Sequence, residues 1–412
     1  MTSRIEVSTL ASGLTVAAEK IPGLASVSFA LFIPVGSAAD PAGRCGLTSL
    51  ASEMIMRGAS DRDARALTEA MDGLGIERNV DYSLEYLLLS GSCLSTHVPR
   101  ALSLFRDILL APRLDQEELA PSIELSLQGI LAVEDTPSEK LFVELGKRYL
   151  PPPFDKPSKG IAGEIEAVTI GDLRGICSYR SPRGMILSMA GDIEMTAANA
   201  MALDIFRDFP PAPDFPRFPM SPTHPEPGHV MKADAHQVQI GMAMPSLPLS
   251  HPDYVKSLLS VTVLSGGMSG RLFVEVREKR GLVYSVRAFY STMRDRGDIY
   301  VYAGTTPEKA AETERVVRGE LERLTEGITA EELARARTQL RSSVVMSQES
   351  SRGRATTMAM DLFRLGRVRE PDDIIGAIQR IELDEMNAFL SRLEPRPFVM
   401  TLGPAGAGVA AA

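Results

Sequence analysis

The sequence predicts an α+β protein made of two homologous domains, a pseudo-twofold duplication in which each domain is a mainly antiparallel sheet packed with helices. Three observations predict it. First, the stretch Phe209–Gly228, FPPAPDFPRFPMSPTHPEPG, is too rich in proline for a helix or a central strand, so it reads as an extended connector. Second, the pattern on its two sides is similar: strand, strand, helix, helix, strand, strand, several helices, strand. Third, the helices bunch after the strands, which points away from alternating βαβ units. The domains expected are therefore 1–208, a linker 209–228, and 229–412.

In the first half, the alternating segments Leu14–Ala18 and Ala25–Pro34 read as strands. Helical periodicity follows at Leu47–Arg57 and Asp63–Leu74. Gly75–Asn79 and Leu84–Ser92 read as strands. Long helices are expected near Val98–Leu110, Gln116–Val133 and Ser138–Tyr149. The strand Gly184–Ala190 and the helix Met195–Phe206 close the half. In the second half, His229–Lys232 and Gln237–Ala243 read as strands. Pro252–Leu264 and Gly270–Lys279 read as helices, and Val283–Tyr290 with Asp298–Ala303 as paired strands. Helices follow at Pro307–Leu324, Ala330–Gln348, Ser351–Leu365, Pro371–Arg380 and Leu383–Leu393, before the strand Phe398–Leu402. A period of about half the chain is a duplication and not a repeat array.

Composition narrows the function. The chain has 412 residues, 44% of them hydrophobic, which is ample for a core. Its net charge of -9 argues against a nucleic-acid partner, since phosphate binding leaves a basic patch. There is no tryptophan, and only 6% of residues are aromatic, so a base-stacking platform is not expected. Cys45, Cys93 and Cys177 are widely spaced and odd in number, which reads as reduced thiols. The N-terminal segment has no apolar stretch of signal-peptide length, and no run approaches the roughly 20 apolar residues of a membrane span. A cytoplasmic protein with no membrane partner is expected.

The most specific motif is Gly266–Tyr284, GGMSGRLFVEVREKRGLVY. A glycine pair follows an apolar helix and opens an amphipathic one. Leu272, Phe273 and Val276 share one face, with Glu275, Glu278 and Lys279 opposite. Gly281 ends the helix, and Tyr284 begins a strand. No Gly-Lys-Ser/Thr follows, so this is not a P-loop. Ser269 lacks the spacing of a nucleophile elbow. Spacing alone fits an ordinary helix with glycine ends. The Met54–Met56 and Met358–Met360 runs read as core filler.

This motif, continued by Ser285-Val286, resembles the C-terminal half of pitrilysin/insulinase-type metallopeptidases (the inverzincins). That family includes the mitochondrial processing peptidases and the core subunits of the cytochrome bc1 complex. The segments DIYVYAGT (298–305), ELARARTQLRSSVVMSQE (332–349), MAGDI (189–193) and TLGP (401–404) extend the resemblance over nearly the whole chain. The resemblance implies that Arg277 and Tyr284 are the arginine and tyrosine with which the family binds substrate. Both can donate hydrogen bonds to a peptide carbonyl or to the oxyanion it becomes. Arg280 is the alternative arginine, three positions away in helical phase.

Catalytic relatives carry H-x-x-E-H on a helix of the N-terminal half, two zinc-binding histidines and a general base. Matching Met54–Gly58 (M-x-x-R-G) to the family's M-x-x-K-G places Ser49, Leu50, Ala51, Ser52 and Glu53 on those five positions. Ser49 and Glu53 would then stand at the two histidine positions and Ser52 at that of the general base, and Glu53 cannot hold catalytic zinc alone. The distal ligand position falls near Ser126–Leu131, which has no carboxylate. Among the five histidines, His224 and His229 read as part of the proline stretch. His97 and His251 precede helices, and His236 lies between strands. The resemblance thus implies a chain without its own cofactor or catalytic residues, paired with a homologous H-x-x-E-H subunit that carries zinc and cleaves a peptide substrate. A structural or peptide-binding scaffold, like the respiratory core subunits, is the alternative. A homodimer could form in isolation.

Overall fold

The computed structural model describes residues 5–178, 181–209, 214–221, 223 and 226–405. In chain order the first half runs β1 Ile5–Thr9, β2 Thr15–Lys20, β3 Ser26–Ile33, α1 Leu47–Met54, β4 Gly58–Ala59, β5 Arg62–Asp63 and α2 Ala64–Asp72. It continues through β6 Glu77–Tyr82, β7 Leu87–Leu94, α3 Val98–Leu110, α4 Gln116–Asp135 and α5 Pro137–Tyr149. Then come α6 Ala162–Glu166, α7 Ile170–Ile176, β8 Ile186–Gly191 and α8 Met195–Ile205. The second half has β9 Gly228–Met231, β10 Val238–Ser246, α9 Tyr254–Ser265, β11 Val283–Thr292 and β12 Gly297–Thr305. It ends with α10 Ala310–Thr325, α11 Ala330–Ser347, α12 Ser351–Leu365, α13 Pro371–Arg380, α14 Leu383–Leu390 and β13 Phe398–Gly403.

The strands form two principal sheets, in the orders β1-β2-β8-β3-β7-β6 and β11-β12-β10-β13-β9. Setting β1 aside, the two orders match strand for strand. In each, the last strand of its half pairs in parallel with an early one, β8 with β2 and β13 with β9. Every other neighbouring pair in the two sheets is antiparallel. The α+β class and the duplicated, mainly antiparallel sheets are therefore present.

The compact units are not the sequence halves. One comprises Met1–Ala132, Pro152–Pro219 and Ser347–Arg369; the other Val133–Pro151, Met220–Met346 and Glu370–Ala412. Helix α12, from the second half, lies on β3 and β8 of the first sheet. Helix α5, from the first half, lies on the equivalent strands β10 and β13 of the second.

Sequence explains why each helix stays there. Below α12 lies an apolar sheet face of Ala17, Ala30, Phe32, Leu88, Ile186 and Ala190, met by Ala355, Met358, Ala359, Leu362 and Phe363. The Phe32 and Phe363 rings are 4.7 Å apart. Polar pins fix the register: Ser188 Oγ donates to the Ala355 carbonyl at 2.6 Å, Ser28 and Ser351 hydroxyls meet at 2.8 Å, and Arg354 pairs with Glu19. Below α5, Gly241 leaves room for Leu141 and Leu145; a Cβ there would lie 3.0 Å from Leu145. Tyr149 donates to Asp298 at 2.7 Å, and Arg296 clamps the other carboxylate oxygen at 2.7 Å. Burial, then the Asp298 charge, pushes the Tyr149 phenol well above its ordinary value, so it remains a donor.

Some expected boundaries shift. The helix expected to reach Arg57 ends at Met54, because its last turn tightens into three-residue bonds from Met56 to Glu53 and Arg57 to Met54. The last expected helix stops at Leu390 instead of Leu393. Strand β1 and the short helices α6 and α7 had no clear periodic signal. His229 lies on β9, in keeping with the strand expected at His229–Lys232, and its Nδ1 meets the Thr401 hydroxyl at 2.8 Å. His224 lies outside the described residues.

Candidate peptide-binding site and the altered metal-motif helix

Helix α1 carries the five motif positions. It begins at Gly46, whose φ of 99° is a left-handed conformation open to glycine. The buried Asp40 carboxylate secures that start, accepting from Gly46 N at 2.8 Å, Thr48 N at 2.9 Å and Thr48 Oγ1 at 2.6 Å. Burial outweighs these bonds and raises the Asp40 carboxyl above its usual range.

The structure places Ser49, Ser52 and Glu53 on one short helix but engages each in protein contacts. Ser49 Oγ donates to the Tyr82 hydroxyl of β6 at 2.6 Å. Ser52 Oγ turns back to the Ser49 carbonyl at 2.7 Å. Glu53 accepts from Arg57 at 2.7 Å and 3.1 Å, and Arg57 also reaches Glu118 of α4 at 3.0 Å. Leu50 and Ala51 are buried in the core. Two hydroxyls and one carboxylate already neutralised by a guanidinium do not fit zinc, which takes imidazole, thiolate or free carboxylate ligands. Among the described residues, no group of three His, Cys, Asp or Glu side chains is placed to hold a metal ion.

Two of the histidines are engaged in local contacts. His97 Nδ1 meets the Leu74 carbonyl at 3.0 Å, and His251 Nδ1 accepts from Asp253 N at 3.0 Å. The segment 126–131 lies within α4, and the carboxylate that α4 sends to α1 comes from Glu118. The Glu53–Arg57–Glu118 bridge was not visible in the sequence, since Arg57 and Glu118 are 61 positions apart. The three cysteines form no disulfide.

Arg277 and Tyr284 come together in the second unit through two local irregularities. The segment Phe273–Glu278, expected as α-helix, is wound as a π-helix. The bond from Lys279 N to Val274 O, at 2.9 Å and five residues back, marks the wider turn. Leu272 and Val276 still point into the core. Gly281, with φ of 58°, then turns the chain into β11. There the pairing with β12 slips between Val283 and Ser285, so Tyr284 is the extra residue of a β-bulge.

The bulge leaves Tyr284 80% exposed, and the Arg277 guanidinium lies 5.6 Å from its ring centroid. Arg277 also lies 5.0 Å from the Phe273 ring. Its basic neighbours are committed elsewhere: Lys279 and Arg280 both bind Glu275, at 2.7 Å and 2.8 Å. Those two hydrogen bonds hold the Glu275 carboxyl below its usual range. Arg280, the alternative arginine, is therefore spent on its own helix. Arg277 and Tyr284 together offer a charged, multi-donor fork and a phenol at one exposed point, an arrangement suited to the carbonyls of a peptide chain.

Comparison with known proteins agrees with this architecture. The family model described as Insulinase (Peptidase family M16) matches residues 15–148. The model described as Peptidase M16 inactive domain matches residues 177–340. An uncharacterized zinc protease of Rickettsia felis is 26% identical over 94% of this chain and 94% of its own. One from Mycobacterium bovis is 28% identical over 97% of this chain and 93% of its own. A solved structure of a peptidase M16 inactive domain from Pseudomonas fluorescens superposes with a TM-score of 0.89 at 24% identity, covering 98% of this chain and all of the other. A protease from Helicobacter pylori superposes at 0.86 with 17% identity, over 98% of this chain and 100% of the other. Both likenesses concern the fold. Two family models that between them span most of the chain, and relatives that align along nearly all of it, carry one conclusion: the protein belongs to the insulinase, or pitrilysin, family of peptidases.

Proposed function

We propose that this chain is the non-catalytic subunit of a two-chain peptidase, offering Arg277 and Tyr284 to peptide bound by a homologous zinc-bearing partner. One observation carries the reading. The residues on the metal-motif helix are locked into internal contacts, with Glu53 bound to Arg57, while Arg277 is exposed and makes no ion pair among the described residues.

The chemistry follows from the donor set. When water attacks a peptide carbonyl, charge gathers on its oxygen. Donors already aimed at that point stabilise the charge without having to reorganise. Arg277 supplies five N–H donors in a planar fork; Tyr284 supplies one O–H. Hydrolysis itself is assigned to the partner.

The test uses the complex of this chain with its H-x-x-E-H homologue and a fluorogenic peptide. Arg277→Ala should lower kcat/KM by about 10²-fold, the scale of losing one oxyanion donor, and Tyr284→Phe by less, with the complex intact on gel filtration. Unchanged turnover in both variants would leave a structural scaffold as the function.

A further inference from the structure

We propose that Phe273 is a positioning residue for Arg277: it fixes the guanidinium by its ring face and so leaves every N–H donor free for the peptide. This rests on the reading of Arg277 as a substrate-binding group. An exposed arginine ordinarily loses much rotamer freedom when it binds, and that loss weakens each bond it makes. The protein has two ways to hold such a side chain beforehand. A carboxylate would do it, but would consume the donors it binds.

The structure shows both solutions side by side. Glu275 takes Lys279 and Arg280, and Arg280 spends one nitrogen on both the Glu275 carboxylate and its backbone carbonyl. Arg277 instead has the half-buried Phe273 ring at 5.0 Å and the exposed Tyr284 ring at 5.6 Å. A cation over a ring face is attracted through the ring quadrupole, with its edge donors untouched. Of the two rings, Phe273 is the fixed one. It follows the buried Leu272 and opens the π-helical segment that carries Arg277. Tyr284 stands 80% exposed on its bulge.

Two measurements test this. In the isolated chain, the Arg277 Nε–Hε proton should show an upfield ring-current shift by NMR. Phe273→Leu should remove most of the shift, leaving the part due to the Tyr284 ring, and Phe273→Tyr should retain it. A shift unchanged in Phe273→Leu overturns the proposal, whatever the protein's function. In the complex with the zinc-bearing homologue, Phe273→Leu should lower kcat/KM by about two- to fivefold, with Phe273→Tyr restoring it and thermal midpoints alike. If Arg277→Ala slows the complex but Phe273→Leu does not, positioning by Phe273 is refuted while the use of Arg277 stands. If Arg277→Ala is itself silent, the functional reading falls instead.

Discussion

At the scale of single residues, the chain separates groups that are consumed by the fold from groups that are left available. Arg271 and Glu332 show the first kind. Arg271 Nε and Nη2 grip the two Glu332 oxygens at 2.6 Å and 2.9 Å, and Thr329 N adds a third bond at 2.8 Å. The Arg271 hydrogen bond is the main cause that holds the Glu332 carboxyl down at about 2, against 4.5 for a free side chain. A depressed carboxylate contributes stability above its unfolded value and loses it as pH falls through the folded one. Glu332→Gln should therefore lower the urea midpoint at pH 7, and the gap from the parent chain should close between pH 4.5 and about 2. Cys93 is also consumed. Burial pushes its thiol up to about 11, and it is 5% exposed. It should resist iodoacetamide at pH 8 in the native chain and react fully in denaturant, as read by mass spectrometry.

Among the elements, α1 is held at both ends by side chains of its surroundings. Its start is fixed by Asp40 and its end is tied through Glu53, Arg57 and Glu118 to α4. Arg57→Ala would leave two carboxylates facing a lost counter-charge. About 1 kcal/mol of destabilisation is expected for this partly exposed bridge, measurable by chemical denaturation. The strands and long helices were legible in the sequence because buried faces leave apolar patterns, a near-continuous run in β3, where seven of eight residues are buried, and a period of 3.6 in the helices. The π-turn was not. Over six residues, the difference between four and five residues per bond leaves no mark in an apolar pattern. The bulge at Tyr284 was hidden for the same reason. Thus the motif singled out Arg277 and Tyr284 as candidates, whereas the irregular backbone that brings Arg277 over the Phe273 and Tyr284 rings could not be read from it.

For the whole molecule, the exchange of α5 and α12 is the feature that sequence alone concealed. Their amphipathic patterns say that each is a helix, and nothing local says which sheet it covers. The exchange makes the sequence halves dependent on one another. Residues 1–228 without α12 would expose the sheet face of Phe32, Leu88 and Ile186 and leave buried Glu19 without Arg354. That fragment should aggregate or unfold without cooperativity, and co-expression with 229–412 should restore a folded protein. Cooperative unfolding of the isolated fragment would contradict this account of the fold.

The two units differ at the places the motifs single out: in one, the side chains of α1 are engaged in internal contacts, and in the other an arginine lies over aromatic rings at the surface. The most direct measurement is peptide hydrolysis by the purified single chain with zinc supplied in the buffer. The account predicts no turnover above background, at any zinc concentration. Hydrolysis that a chelator abolishes and zinc restores would contradict it.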